Sequence, residues 1–534
     1  MSLENILYNT ACKEHWKRVG VYPHHGVCVP LTALRTETSS GVGEFYDLLP
    51  LIDWVKSIGM DVIQLLPLND TGLDSSPYSA HSSLALDPIY IKLTALPHLD
   101  TFKELEKELF KFRRFNETPR LEFVEVKKKK ELFLLHYYEL IYPEMRKNAD
   151  FLKFVHENSW VQEYALFMSI KKEQNYLHWK AWPKKFHDPT KLFGIMKDYD
   201  YVINYHIFIQ YLAFKQMSGV KEYATEKGVF LKGDIPILVS EDSADVWFDR
   251  ENFLTGLSAG APPDRFNSQG QYWGFPIFNW DYVKETNYAW WERRLKTAAN
   301  YYHLYRIDHL VGFFRIWGIE DGQDSINGKF VPSNRYKWRF DGEERLKALI
   351  SASSMMPMAE DLGIIPHEVP SILKSLGITG TKVMRWQTYA EESGGYIRSE
   401  NYEPISMTTL STHDTETLGE WWKNHRTEAK EYAASRNIEY KREFDVDLRY
   451  DLLADSHKTA SLFHINLLSE YLALIPEYAP SAFEDDRINI PGTNLESNWS
   501  YRLSRTLEEI TTNKELSSMI RSFTKETANE NIIL

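Results

Sequence analysis

Cysteine is nearly missing: Cys12 and Cys28 are the only two in 534 residues. That excludes a disulfide framework, and with no Cys-x-x-Cys pair it excludes a cysteine-based zinc or redox centre. Such sparing use suits a reducing compartment, so the expected location is the cytoplasm. No uninterrupted apolar run reaches the length of a bilayer span. The first residues, MSLEN, lack the basic and then apolar stretches of a secretory leader. Basic residues are outnumbered, 62 against 75 acidic, for a net charge of −13. That balance argues against nucleic acid and anionic membranes as partners. The one dense basic block, Lys127 to Lys130, is expected to be the solvated face of a helix, and His24-His25 an exposed pair. No loop has the oxygen-rich pattern of a calcium site, so neither a metal nor a cofactor is expected.

What the chain has in plenty is aromatic residues, 14% of the total, on a background of 43% apolar residues. The apolar content suffices for a large core. Sugar rings carry C–H faces that stack on aromatic faces, although aromatics more often fill cores.

Apolar, β-branched runs recur along the chain at 26–34, 61–68, 229–239, 304–310, 356–362, 381–386, 407–414 and 487–490. Helical periodicity lies between several of them, as at 44–58, where Phe45, Leu48, Leu49, Ile52 and Val55 fall on one face and Gly59 serves as the cap. Near-continuous apolar strands alternating with helices predict a parallel sheet covered on both faces, and eight of them predict a (β/α)8 TIM barrel. The stretch 69–228 is too long for one crossover and rich in charged helical pattern. It is expected to be an inserted, mostly helical subdomain at the carboxyl face of the barrel. The stretch 242–300, rich in Gly, Pro and Trp, is expected to form long loops and a lid over a cleft. No Ser/Gly linker divides the chain, so 1–534 is expected to be one catalytic unit.

Three of the runs carry an acid at or near their end: Asp308 in LYRIDHL, Glu360 in MPMAEDL and Asp414 in MTTLSTHD. Strand ends at the carboxyl face of a TIM barrel converge on its axis. Each acid singly reads as a helix cap or an ion-pair partner, and Asp361 is the better cap in its own segment. Together they match glycoside chemistry. A retaining reaction needs one carboxylate as nucleophile, a second as acid and then base, and gains from a third that holds the reacting sugar. Arg306, two residues before Asp308, lies on the same strand face and is expected to keep Asp308 ionised. His413 beside Asp414 is either a donor to a sugar hydroxyl or a satisfied strand-end histidine.

On the motifs Tyr305-Arg306-Ile307-Asp308-His309, Ala359-Glu360-Asp361-Leu362-Gly363 and Thr412-His413-Asp414, the sequence resembles the 4-α-glucanotransferases, or amylomaltases, of the α-amylase clan. Further motifs follow in order: Gly233-Asp234-Ile235-Pro236-Ile237, the lid sequence Gly260-Ala261-Pro262-Pro263-Asp264, Gly270 to Pro276 around Trp273, Ser76-Pro77-Tyr78, Pro491-Gly492-Thr493 and Asn498-Trp499. The resemblance implies Asp308 as nucleophile, Glu360 as acid/base and Asp414 as transition-state stabiliser. It implies substrate contacts from Arg306, His413, Asp234, Trp273, Tyr78, Ser76, Pro262, Pro263 and Asp264. The implied substrates are α-1,4-glucans and glucose. Thr415 departs from the family's usual Asn after the third acid. With the first barrel strand near residue 26, no starch-binding module is expected ahead of it. Two other readings stay open: an α-amylase-like hydrolase, and a non-catalytic glucan-binding protein. An intact acid triad beside Arg306 argues against the second.

Overall fold

The computed structural model describes residues 2–192, 197, 199–263, 268–389 and 395–530, with side chains to 525 in the last stretch. Eight parallel strands form the centre: β1 (His24–Cys28), β2 (Val62–Gln64), β3 (Phe230–Ile235), β4 (Leu304–Ile307), β5 (Met356–Ala359), β6 (Gly380–Val383), β7 (Ser406–Thr409) and β8 (Phe463–Leu467). They pair in the order β6-β7-β8-β1-β2-β3-β4-β5. The last seam closes through a parallel bridge between Met358 and Thr379 and the Ala359 N–H donating to the Thr379 carbonyl at 2.7 Å. The predicted (β/α)8 barrel is therefore the observed architecture.

Seven of the strands overlap the predicted runs, each shorter than expected, and β1, β6 and β7 begin one or two residues ahead of theirs. The eighth does not. Residues 487–490 form no strand, and the sheet is completed by β8, which reads FHINL. Its polar residues face partners inside the fold: the Asn466 side-chain oxygen accepts from the Leu410 N–H at 2.9 Å. Glycine matters at one point in β3. A Cβ on Gly233 would lie 2.4 Å from the Tyr302 ring, so that ring reaches the strand only because no side chain stands there.

Between β2 and β3 the chain runs through helices, chief among them α1 (Phe123–Met145), α2 (Trp160–Glu173) and α3 (Asp200–Lys227). Helix α3 ends at Gly228, whose φ of +66° forms a left-handed cap that feeds β3. After β3, in place of long loops alone, residues 253–261 and 271–278 form antiparallel strands. They join strands 316–320 and 329–331 in a separate four-stranded sheet. Among the described residues no helix is long and apolar enough to cross a membrane.

Three expectations about charged and polar groups fail. Within the block Lys128 is exposed as expected, but Lys127 and Lys130 are both 1% exposed, not solvated. Lys127 Nζ sits 2.6 Å from Asp70 and 2.7 Å from Asp87, and Lys130 Nζ sits 2.6 Å from Glu44. Their aliphatic stems join the core of α1, and buried carboxylates satisfy the charged ends. His24 and His25 are buried: His24 Nδ1 bonds Asp61 at 2.7 Å, and His25 Nδ1 meets His457 Nδ1 at 2.8 Å. Asp361 caps no helix. Its Oδ1 accepts from the Thr381 N–H at 2.6 Å, tying the end of β5 to β6.

Candidate active site

The loops after β3, β4, β5 and β7 meet at the carboxyl face of the barrel, and Arg306 is their hub. Its guanidinium Nη1 donates to Asp234 Oδ1 and Oδ2 at 2.8 and 2.7 Å and pairs with Asp308 Oδ1 at 2.9 Å. Nη2 pairs with Glu360 Oε2 at 3.1 Å. One cation thus gathers acids from three neighbouring strand ends. Alternation along β4 explains the geometry: Arg306 and Asp308, two residues apart, share a face. Glu360 Oε2 also accepts from the His309 N–H at 2.6 Å. That amide is aimed by a left-handed turn at His309, with φ of 43°. Such backbone strain in a non-glycine residue is characteristic of functional sites.

The β7 side supplies the third acid. Asp414 Oδ2 lies 3.1 Å from His413 Nε2, and Oδ1 accepts from Asn489 Nδ2 at 2.7 Å. Tyr78 joins the two halves. Its hydroxyl donates to Asp234 Oδ2 at 2.9 Å and lies 2.8 Å from His413 Nε2, and its ring stacks on His413 with centroids 5.8 Å apart. Trp499 closes on both, 5.7 Å from Tyr78 and 6.1 Å from His413.

The charges divide by environment. Burial works to raise Asp414, but His413 and the Asn489 amide outweigh it and hold the carboxyl down at about 2. Burial works to lower His413, and Asp414 overrides it, so the imidazole is raised. Asp308 goes the other way. Burial lifts it to about 7, with Arg306 pulling down and Glu360 and Asp234 pushing up. The expectation that Arg306 keeps Asp308 ionised counted the cation and not the desolvation. Burial instead lets Asp308 retain a proton near neutral pH in spite of the guanidinium beside it.

The other expected residues fall into place unevenly. Trp273 stands edge-on to His309, with centroids 4.9 Å apart, so it walls the β4 side of the site. Ser76 shares the Tyr78 loop, where its N–H bonds Asp74 at 2.9 Å. Pro262 and Pro263 follow strand 253–261 and are half-buried. A Cβ on Gly270 would come within 3.2 Å of Pro263 N, so the two limbs of this turn lie close together. Asp264 lies outside the described residues. Thr415 closes its own turn, accepting from the Thr412 N–H at 2.9 Å. Asn489 was not anticipated. Its signal was weak, an amide inside a run that reads as a strand. Among the described residues no group of three His, Cys, Asp or Glu side chains is placed to hold a metal ion.

Acids converging at the carboxyl ends of parallel barrel strands define the class of TIM-barrel enzymes whose chemistry sits on that face. A family model described as 4-alpha-glucanotransferase matches residues 29–508. A curated 4-alpha-glucanotransferase of Chlamydia pneumoniae is 41% identical over 507 residues, covering 95% of this chain and 96% of the relative. One from Aquifex aeolicus is 30% identical over 508 residues, covering 92% and 96%. Among solved structures, an amylomaltase from Streptococcus agalactiae in complex with acarbose superposes with a TM-score of 0.81 at 27% identity. That match spans 95% of this chain and 99% of the other. The chain belongs to the 4-alpha-glucanotransferase family.

Proposed function

We propose that this enzyme transfers α-1,4-glucan segments by double displacement, with Asp308 as nucleophile, Glu360 as acid and then base, and Asp414 as the stabiliser of the charged transition state. The observation that carries the reading is the Arg306 hub, which ties Asp308 and Glu360 to one guanidinium. A retaining pair works at a carboxyl separation of about 5–5.5 Å, and a shared cation favours such closeness. In the first step the Asp308 carboxylate attacks the anomeric carbon of the donor. The glycosidic bond breaks, and Glu360 gives its proton to the leaving oxygen. In the second step Glu360 takes the proton of an acceptor 4-hydroxyl, whose oxygen displaces Asp308. Asp414, anionic far below neutral pH, offsets positive charge on the ring in both steps.

Arg306, Asp234, His413 and Tyr78 hold the reacting sugar in this reading, with Ser76 beside it. Trp273 and the Pro262-Pro263 turn, with Asp264 next to it, belong to a lid. A lid that keeps water from the intermediate favours a sugar acceptor over hydrolysis. The chain acts as one catalytic unit in the cytoplasm, with 69–228 as its helical insertion and 242–300 over the cleft. Its substrates are α-1,4-glucans and glucose.

The test is product analysis with maltotriose alone. Transfer gives glucose and a ladder of longer maltodextrins at constant total reducing ends. Rising reducing ends with no longer chains would make the enzyme a hydrolase. Glu360→Gln is expected to abolish transfer and hydrolysis together, and substantial residual activity would refute its assignment.

A further inference from the structure

The loop that presents Tyr78 has almost no secondary structure of its own. From 71 to 84 it is turns and bends, crossed at its base by a single antiparallel bridge between Asn69 and Leu86. A segment of that kind keeps a fixed shape only if its ends and flanks are tied down. The ties come from far away in sequence. Gln210 of α3 brackets the Leu86 peptide, accepting its N–H at 3.0 Å and donating to its carbonyl at 2.8 Å. Asp245 accepts from the Ser83 N–H at 2.7 Å.

The strongest tie is ionic. Asp70 and Asp87 stand at the two feet of the loop, and Lys127 of α1 stands between them. Its Nζ lies 2.6 Å from Asp70 Oδ1 and 2.8 and 2.7 Å from the two Asp87 oxygens. All three residues are at most 2% exposed. Tyr164 of α2 adds a bond to Asp70 Oδ2 at 2.6 Å. Among the described residues no other cation bonds either carboxylate. Without Lys127, two buried carboxylates would face each other unpaired, and the feet would separate to let water in.

We infer that Lys127 is a positioning residue for the transfer reaction. By clamping Asp70 to Asp87 it fixes the loop so that the Tyr78 hydroxyl meets Asp234 and His413. This gives the helical insertion a role, since α1 and α2 both bear on the feet of the loop. The inference rests on the proposed placement of Tyr78 at the reacting sugar.

A double-mutant cycle separates positioning from general stability. Lys127→Met and Tyr78→Phe are made singly and together, and kcat and KM for maltotriose are measured well below each thermal midpoint. If Lys127 acts through Tyr78, each single change lowers kcat at least tenfold, and Lys127→Met costs less than threefold more in the Tyr78→Phe background. Independent, multiplying losses would overturn the inference and leave Lys127 a stabilising residue only. A Tyr78→Phe enzyme at the parental rate would overturn the reading of Tyr78 itself, and the inference with it. Should Lys127→Met not fold, Asp87→Asn, which keeps shape and loosens the clamp, takes its place in the same cycle with the same criteria.

Discussion

Asn489 offers a sharp check on the role of Asp414. Its side-chain amide donates to Asp414 Oδ1 at 2.7 Å, while its backbone N–H bonds the His413 carbonyl at 3.1 Å. Asn489→Leu keeps the backbone bond and the volume and removes only the amide. A hydrogen bond to a charged acceptor contributes about 1.5–3 kcal/mol. At about 1.4 kcal/mol per tenfold, kcat/KM for maltotriose should fall between about tenfold and about 150-fold if Asp414 acts on the transition state. The protein should stay folded, because Leu fills the same volume and the backbone bond to the His413 carbonyl remains. Asn489→Asp goes further: it removes the donor and sets a second anion against the first, so its activity should lie below that of Asn489→Leu. Initial rates of glucose release, with thermal midpoints measured alongside, decide the matter. An Asn489→Leu enzyme within twofold of the parent, or an Asn489→Asp enzyme no worse than it, would refute the idea that Asp414 needs this donor.

Two further expectations concern pH. The first step needs Asp308 as a carboxylate, and burial lifts Asp308 to about 7. The rate should therefore climb as pH rises through about 7, and a pH–rate profile flat from 5 to 8 would count against Asp308 as the nucleophile. Stability should fail on the acid side. His25, His457 and His464 are buried together, and burial lowers all three, His464 to about 4. A histidine lowered in the fold stays neutral there and protonates in the unfolded chain below about 6.5, so its contribution is present above that value and lost as pH falls. Each loses about 1.4 kcal/mol between pH 7.5 and 5.5, or about 4 kcal/mol for three. The raised His413 opposes this in part. Urea midpoints at the two pH values test it, and an unchanged midpoint would show that the cluster takes up protons without cost.

The acids were legible in the sequence because their chemistry is a matter of residue type and of position at a strand end. Asp308 and Glu360 lie near the end of their runs and Asp414 ends its own, and nothing distant was needed to see it. Strand β8 was passed over for the opposite reason. Its His464 and Asn466 break the apolar pattern expected of a barrel strand, and the partners that make them tolerable are elsewhere: Ser456, Tyr471 and the Leu410 amide. The run at 487–490 has the composition of a strand, yet it is coil that bonds the His413 carbonyl and delivers Asn489 to Asp414.

Lys127 and Lys130 make the same point with charge. Read locally, four consecutive lysines belong in water. Their carboxylate partners lie 57, 40 and 86 residues away, beyond any local pattern. Burying such charges is costly unless each is paired, so their presence inside α1 means that the neighbouring segments must arrive in register. The energetic consequence is a dependence between insertion and barrel. The helices can hold their lysines only if the loops at 44, 70 and 87 are in place, and the loop at 78 can hold its tyrosine only if the lysines are. A barrel that keeps the loop at 78 but loses helices α1 and α2 would keep every acid of the triad and lose the alignment of Tyr78 with Asp234 and His413. Cutting back 123–173, with the loop at 78 left in place, is accordingly expected to cost transfer activity even where the barrel itself folds.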